Sequence, residues 1–450
     1  MKFGYSKSKL VNSKIQQIVQ NKFVRNVAIV ATGTAGAQAI TMAFAPFITR
    51  IYGPEAFGLL GIFMALAMMI SPIVALTYPI AIVLPKEDHD AKGLVWLSLY
   101  IAFIMSALIA ILLFFWGEWF LTLLGSQSIL PYAMLLPLSM FFAAILQIAE
   151  QWLIRKKHFK ITAKVAVYKS LIVGSLQTGI GLIKPIGGVL IIVATIGSAL
   201  QAFMLFNGAK KANLKETAEL ENSSQSKTIN TNKNLKQLAN THRDFPIFRA
   251  PQVFINAISI SLPVLMLASF FGPATAGFYS IAMSVLGLPA TLLGKSVNDV
   301  FYQKITEVCH KNENLNPLLF KATLTLALIS VIPFSVIILF GPWLFSTVFG
   351  QNWEVAGEYA QYLSLWLYVS LVARPAIAAI PAMQLQKFLL IYEIFSVCAR
   401  VAALIIGFQI FNNDIGVVAL FSFINALIYG FLIVLVIQES SKIKNHKYSL

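Results

Sequence analysis

The chain has 450 residues, of which 58% are hydrophobic and only 12% charged, and its formal net charge is +16. Soluble domains carry about 25% charged residues, so this balance excludes an ordinary soluble protein. Two cysteines, Cys309 and Cys398, are too few for a disulfide framework, and no Cys/His spacing suits a metal ion.

Residues 1–23 are polar and lysine-bearing, with no small-residue cleavage site after a short apolar stretch, which predicts a retained signal anchor. Twelve apolar runs follow, near 24–49, 57–83, 93–116, 131–154, 162–183, 186–206, 248–271, 278–301, 318–340, 355–383, 388–411 and 415–437. Each is long enough to cross a hydrocarbon core of about 30 Å. The expected fold is therefore an all-α polytopic membrane protein of twelve transmembrane helices. Residues 207–245 are rich in Lys, Asn, Ser, Thr, Gln and Glu, without an aromatic between Phe206 and Phe245. Such a stretch buries too little apolar surface to fold alone, and it reads as a linker. It separates an N-terminal half (1–206) from a C-terminal half (246–450), each with six spans.

Lys/Arg asymmetry places the linker and both termini in the cytoplasm, because the outside loops then hold only Arg50 and Lys184. The high positive charge is thus a topology signal, and no nucleic-acid partner is implied. The outside loops are too short for an external catalytic domain.

Two internal echoes relate the halves. Tyr52-Gly53-Pro54 leading to Gly58 returns as Phe271-Gly272-Pro273 leading to Gly277, an offset of 219 residues. Gly-Pro breaks a helix because glycine tolerates strained φ and proline lacks a hydrogen-bond donor. Trp116-Gly117-Glu118-Trp119 followed by Gly125 similarly resembles Phe340-Gly341-Pro342-Trp343 followed by Gly350. Six spans per half give both halves one orientation, the pseudo-two-fold parallel-repeat arrangement of transporters that bind substrate in a central cavity between halves.

Charges inside spans are costly in lipid and usually face a cavity or a partner. Arg400 lies nearest the middle of its span, with Glu393 seven residues earlier on the same helical face. The plainer alternative is that the two pair with each other. Lys169 occupies the corresponding span of the first half at a similar depth, and Arg374 directly precedes Pro375, where a bend frees backbone carbonyls. Arg50 precedes the first Gly-Pro turn at the outer surface. Lys295 and Asp299 are spaced i, i+4 and fit an interfacial ion pair or a coupling site. Glu150 is expected at the interface. Pro72 and Pro289 fall in the second helix of each half, where paired bends suit helices that flex. No Walker A or HExxH pattern occurs.

The stretch Ile48-Thr49-Arg50-Ile51-Tyr52-Gly53-Pro54-Glu55-Ala56-Phe57-Gly58-Leu59 resembles the signature of bacterial polysaccharide transporters, the Wzx-type O-antigen flippases. Phe245-Pro246 through Asn256 and Gly277-Phe278-Tyr279-Ser280 through Pro289 do so too. This resemblance implies a MATE-like member of the multidrug/oligosaccharidyl-lipid/polysaccharide (MOP) exporter superfamily in the bacterial inner membrane. It implies movement of an undecaprenyl-pyrophosphate-linked oligosaccharide to the periplasmic leaflet by alternating access, coupled to an H+ or Na+ gradient and without a bound cofactor. Membrane lipids, a polysaccharide polymerase and chain-length machinery are the partners that go with it. A pyrophosphate needs cations along an apolar passage, which makes Arg400, Lys169, Arg374 and Arg50 candidate substrate contacts and Glu393, Asp299 and Lys295 candidate coupling groups. Two alternatives compete. A MATE-type drug/cation antiporter needs buried carboxylates, whereas the first span has none and the deepest charges are basic. A membrane polymerase or ligase needs a large outer loop, and none is present.

Overall fold

Four glycines have a positive φ among the residues described by the computed structural model, namely 22–221, 234–288, 305, 315–380, 383 and 385–442. They are Gly53 (70°), Gly125 (60°), Gly272 (94°) and Gly350 (112°). These are the turn glycines of the two repeated motifs. Gly53, at ψ 174°, and Gly350, at ψ 160°, occupy a region of backbone space open essentially to glycine alone. The doubling seen in the sequence is therefore a doubling of backbone geometry.

Regular structure among the described residues is helical throughout. Helix α1 (Lys22–Val74) carries the first two expected spans on either side of the Gly53 break. Then come α2 (Tyr78–Ala81), α3 (Asp88–Leu123), α4 (Leu135–Arg155), α5 (Phe159–Gly181), α6 (Gly187–Glu221) and the short α7 (Leu235–Thr241). Helices α8 (Ala250–Phe271) and α9 (Pro273–Leu288) flank Gly272. The chain continues as α10 (Asn316–Phe349), α11 (Glu354–Val372), α12 (Arg374–Ala379), α13 (Gln386–Phe411) and α14 (Asp414–Lys442). Among the described residues nine helices are long and apolar enough to cross a membrane. They cover ten of the twelve expected spans. The fifth is α5, which carries Lys160, Lys164 and Lys169, and of the eighth only α9 is described.

Several boundaries differ from the expectation. α3 runs through Gly117 to Leu123, and α10 runs through Gly341-Pro342 to Phe349, whereas the expected spans ended near 116 and 340. A helical glycine costs only about 1 kcal/mol, and transmembrane helices tolerate proline when neighbours satisfy the freed groups. Close packing also favours the straight path here: a Cβ on Gly341 would lie 2.6 Å from Gly357 O, and one on Gly357 would lie 2.5 Å from Gly341 O. The expected second span stops early, at Val74. There Leu76 (φ 46°) and Thr77 (φ 57°) take left-handed conformations, which no local pattern announces.

The described residues form two compact units. Among the described residues, unit one comprises those up to Ile51, from Phe63 to Thr122 and from Ile129 to Ser261; unit two comprises Tyr52–Ile62, Leu123–Ser128 and those from Leu262 on. In unit one, Ile82, Leu94, Trp152, Leu153, Leu205 and Leu238 belong to one buried apolar cluster near the linker. Leu238 explains why part of the linker is helical. It is 1% exposed, and its helix α7 is tied down by a hydrogen bond from Tyr78 Oη to Ala239 O (3.1 Å), with the chain just beyond held by one from Thr77 Oγ1 to Phe245 O (3.1 Å). The segment folds because unit one supplies the apolar surface that it lacks.

In unit two, the two Gly-Pro turns pack on each other. A Cβ on Gly58 would overlap the Pro273 carbonyl, and a Cβ on Gly277 would overlap the Pro54 carbonyl. The second glycine of each motif is thus required by its twin. Phe57 and Phe278 both set their rings edge-on to Trp353, at 5.2 and 6.1 Å between centroids. Trp353 is 1% exposed and sits in the turn that follows Gly350.

Candidate functional site

In unit two, α13 and α14 bring Arg400 to Asn425. Arg400 Nε donates to Asn425 Oδ1 at 2.7 Å, while Asn425 Nδ2 donates to Phe421 O, one turn back, at 2.8 Å. The backbone bond fixes which way the amide points, so its oxygen is held toward the guanidinium. Asn425 is fully buried, and an apolar helix tolerates it because both amide atoms are engaged. Tyr279 of α9 is buried, and Tyr392 of α13 lies about two turns before Arg400 on the same helix. Tyr392 Oη donates to Ile428 O at 3.4 Å, and Ser396 Oγ donates to Tyr392 O at 2.7 Å. The result is a polar seam of one cation, one amide and hydroxyls between apolar helices.

Glu393 is exposed on α13, and the hydrogen bond from Arg400 goes to Asn425. Nε thus meets a neutral acceptor on the next helix, where helical spacing alone suggested a carboxylate on the same one. Arg374 opens α12 immediately after the break at Ala373, where the Ile377 amide donates to Ala373 O at 3.0 Å. Its Nε is buried with no acceptor among the described residues. Leaving a guanidinium N–H unsatisfied in the interior costs about 1–3 kcal/mol or more.

Unit one holds Lys169 and Arg50. Lys169 is half-buried on α5, with its Cε 3.7 Å from the place a Gly197 Cβ would take, so its stem lies along α6. No hydrogen bond or ion pair joins it to another described residue. Glu150 of α4 is likewise half-buried without such a partner. Lys169 stands twelve residues before the end of α5, and Arg400 eleven before the end of α13. Measured from the helix starts, the two differ by four residues. Their depths therefore correspond when counted from the C-terminal ends of the two helices. Arg50 is exposed, three residues before Gly53. Lys295, Asp299 and Pro289 lie outside the described residues.

The four cations are thus divided between the units, two in each. Asn425 and Tyr392 do not stand out in the sequence because they carry no charge, and Tyr279 stands out only within the stretch Gly277 to Pro289. The available signal was an asparagine in the middle of the last apolar run.

A family model described as polysaccharide biosynthesis protein matches residues 47–206 and 235–358. The match takes in Arg50 and Lys169 and stops short of Arg374 and Arg400. Among solved structures, the chain is similar to "Lipid II flippase MurJ, inward closed conformation" at 15% identity and a TM-score of 0.69, over 93% of this chain and 90% of that one. A multidrug resistance MATE family transporter of the MOP superfamily, in its inward-facing conformation, gives 14% identity and a TM-score of 0.68, over 93% and 99% of the two chains. The MATE multidrug transporter DinF-BH gives 16% and 0.61, over 95% and 97%. No curated protein matches the chain. At such identities these structures share its fold, that of the MOP transporters.

Proposed function

This chain belongs to the polysaccharide biosynthesis protein family, and from that premise we propose that it is a flippase for a lipid-linked oligosaccharide. The cargo is an undecaprenyl-pyrophosphate-linked repeat unit of O-antigen or a related surface polysaccharide. It moves from the cytoplasmic to the periplasmic leaflet by alternating access, driven by an H+ or Na+ gradient, and no covalent bond changes. The protein is a multi-pass membrane protein with the MOP transporter fold. We place it in the inner membrane with the linker and both termini cytoplasmic, and we take the two six-helix halves, 1–206 and 246–450, as its moving parts.

The buried Arg374 Nε carries this reading. A cation inside a membrane span is costly, and retaining one with an unmet donor favours an anionic oxygen as the missing acceptor. Arg400 and Lys169 add positive charge in each unit, the sign that a pyrophosphate needs. Glu393, Lys295 and Asp299 remain the groups for ion coupling. A polymerase and the chain-length machinery would receive the product.

The test is genetic. In a strain deleted for this gene, Lys169→Gln/Arg400→Gln should insert normally yet fail to restore surface glycan, with lipid-linked repeat units accumulating inside. Wild-type levels of surface glycan from the double variant would refute the assignment of these cations.

A further inference from the structure

A cleft of about 300 Å³ lies at the linker end of unit one, between α3, α4 and α6. Lys92 and Trp96 form one wall, Phe206 and Lys210 the other, and Ile148 and Trp152 the floor. The floor is part of the buried apolar cluster of the unit, whereas Trp96 and Phe206 are 58% and 51% exposed. Each wall follows one design. On α3 the lysine precedes the aromatic by four residues, and on α6 it follows by four. Because the helices run oppositely, each lysine Cα lies about 6 Å, one turn, to the linker side of the exposed aromatic on its own helix.

Neither lysine makes an ion pair among the described residues. Asp88, four residues before Lys92, is already occupied by Arg155 (2.9 Å) and Lys156 (2.6 Å). Asp90 is itself 9% exposed and faces His89 at 4.0 Å. Two cations above an apolar trough at the membrane boundary match a phosphate joined to an acyl chain.

We propose that this cleft binds an anionic glycerophospholipid of the leaflet on the linker side. One acyl chain lies along Trp96, Ile148 and Phe206, with the phosphate between Lys92 and Lys210. The inference goes beyond the flippase reading and does not depend on it, since the bound lipid is a resident ligand and not the cargo. Exposed aromatic walls favour a chain over water, and the lysine pair selects an anionic headgroup over a zwitterionic one.

The experiment reconstitutes the full chain in phosphatidylcholine vesicles that contain brominated phosphatidylglycerol or brominated phosphatidylcholine, and follows quenching of tryptophan emission. Brominated phosphatidylglycerol should quench a saturable fraction at low mole fraction, and Trp96→Phe should shrink that fraction. Lys92→Gln/Lys210→Gln should raise the half-saturating mole fraction about 30-fold, as expected for losing two near-surface cations, and Lys92→Arg/Lys210→Arg should preserve it. Equal quenching by brominated phosphatidylcholine in all variants serves as the insertion control. Three results would overturn the proposal: no preference for the anionic lipid in the wild type, an unchanged preference in the Gln variant, or displacement by stoichiometric undecaprenyl phosphate, which would give the cleft to a polyprenyl chain.

Discussion

Replacing Gly61 by alanine should destabilise the contact between the two Gly-Pro repeats, and Ser280→Ala should undo most of the damage. A Cβ at Gly61 would sit 2.5 Å from Ser280 Oγ, with the next atoms, Ala276 O and Ser280 Cβ, both at 3.5 Å. One side-chain oxygen is therefore the whole obstacle. Moving it to ordinary contact distance requires about 0.9 Å, within the range in which overpacked sites cost about 1–3 kcal/mol. Deleting the hydroxyl leaves only ordinary contacts, so a coupling of about 1–2 kcal/mol between the two changes is expected. Gly58→Ala is different in kind, because its Cβ overlaps the backbone carbonyl of Pro273 and no side-chain change can relieve that. Thermal unfolding of the purified chain in detergent should rank Gly58→Ala lowest and Gly61→Ala next. Gly61→Ala/Ser280→Ala should return to the level of Ser280→Ala alone. A double variant no more stable than Gly61→Ala, or a Gly58→Ala protein that melts like wild type, would refute the packing described for the two turns.

Other outcomes concern unit one. Leu238→Ala should cost about 2–5 kcal/mol of local stability, as expected for truncating a leucine in a packed core, and should speed tryptic cleavage at Lys236 and Arg243 while the membrane helices stay intact. Arg155→Gln removes the guanidinium that donates to Pro85 O (2.5 Å) and Lys86 O (3.2 Å) and pairs with the half-exposed Asp88. Solvent screens that pair, so a loss of about 1–2 kcal/mol is expected, mainly from the carbonyl bonds. Faster cleavage after Lys86 would report it, and an unchanged rate would mean that the loop is held by other contacts.

The parts legible in the sequence were those that obey local rules. Gly53 and Gly272 announced themselves because a Gly-Pro pair both permits a positive φ and blocks helix continuation. Gly341-Pro342 carries the same dipeptide and stays helical, because Gly357 on the next helix accepts the close approach. No single-strand pattern contains that information. Lys169, Arg374 and Arg400 stood out as charges in apolar runs, whereas the partner of Arg400 did not. Spacing suggested Glu393 on the same helix, and the structure supplies Asn425 from the following one. The docking of α7 was hidden for a related reason. A polar segment with a single well-placed leucine folds only against a surface contributed from elsewhere.

The central claim is transport of a lipid-linked glycan, and its most direct test uses the purified full-length chain in proteoliposomes. A fluorescently tagged undecaprenyl-pyrophosphate oligosaccharide is incorporated in both leaflets, and a membrane-impermeant reductant bleaches the outer one. With an H+ or Na+ gradient imposed, wild-type protein should expose the inner-leaflet pool and carry bleaching beyond the outer-leaflet fraction, whereas Lys169→Gln/Arg400→Gln should stop at that fraction. Bleaching that halts at the outer leaflet with wild-type protein under either gradient would contradict the account.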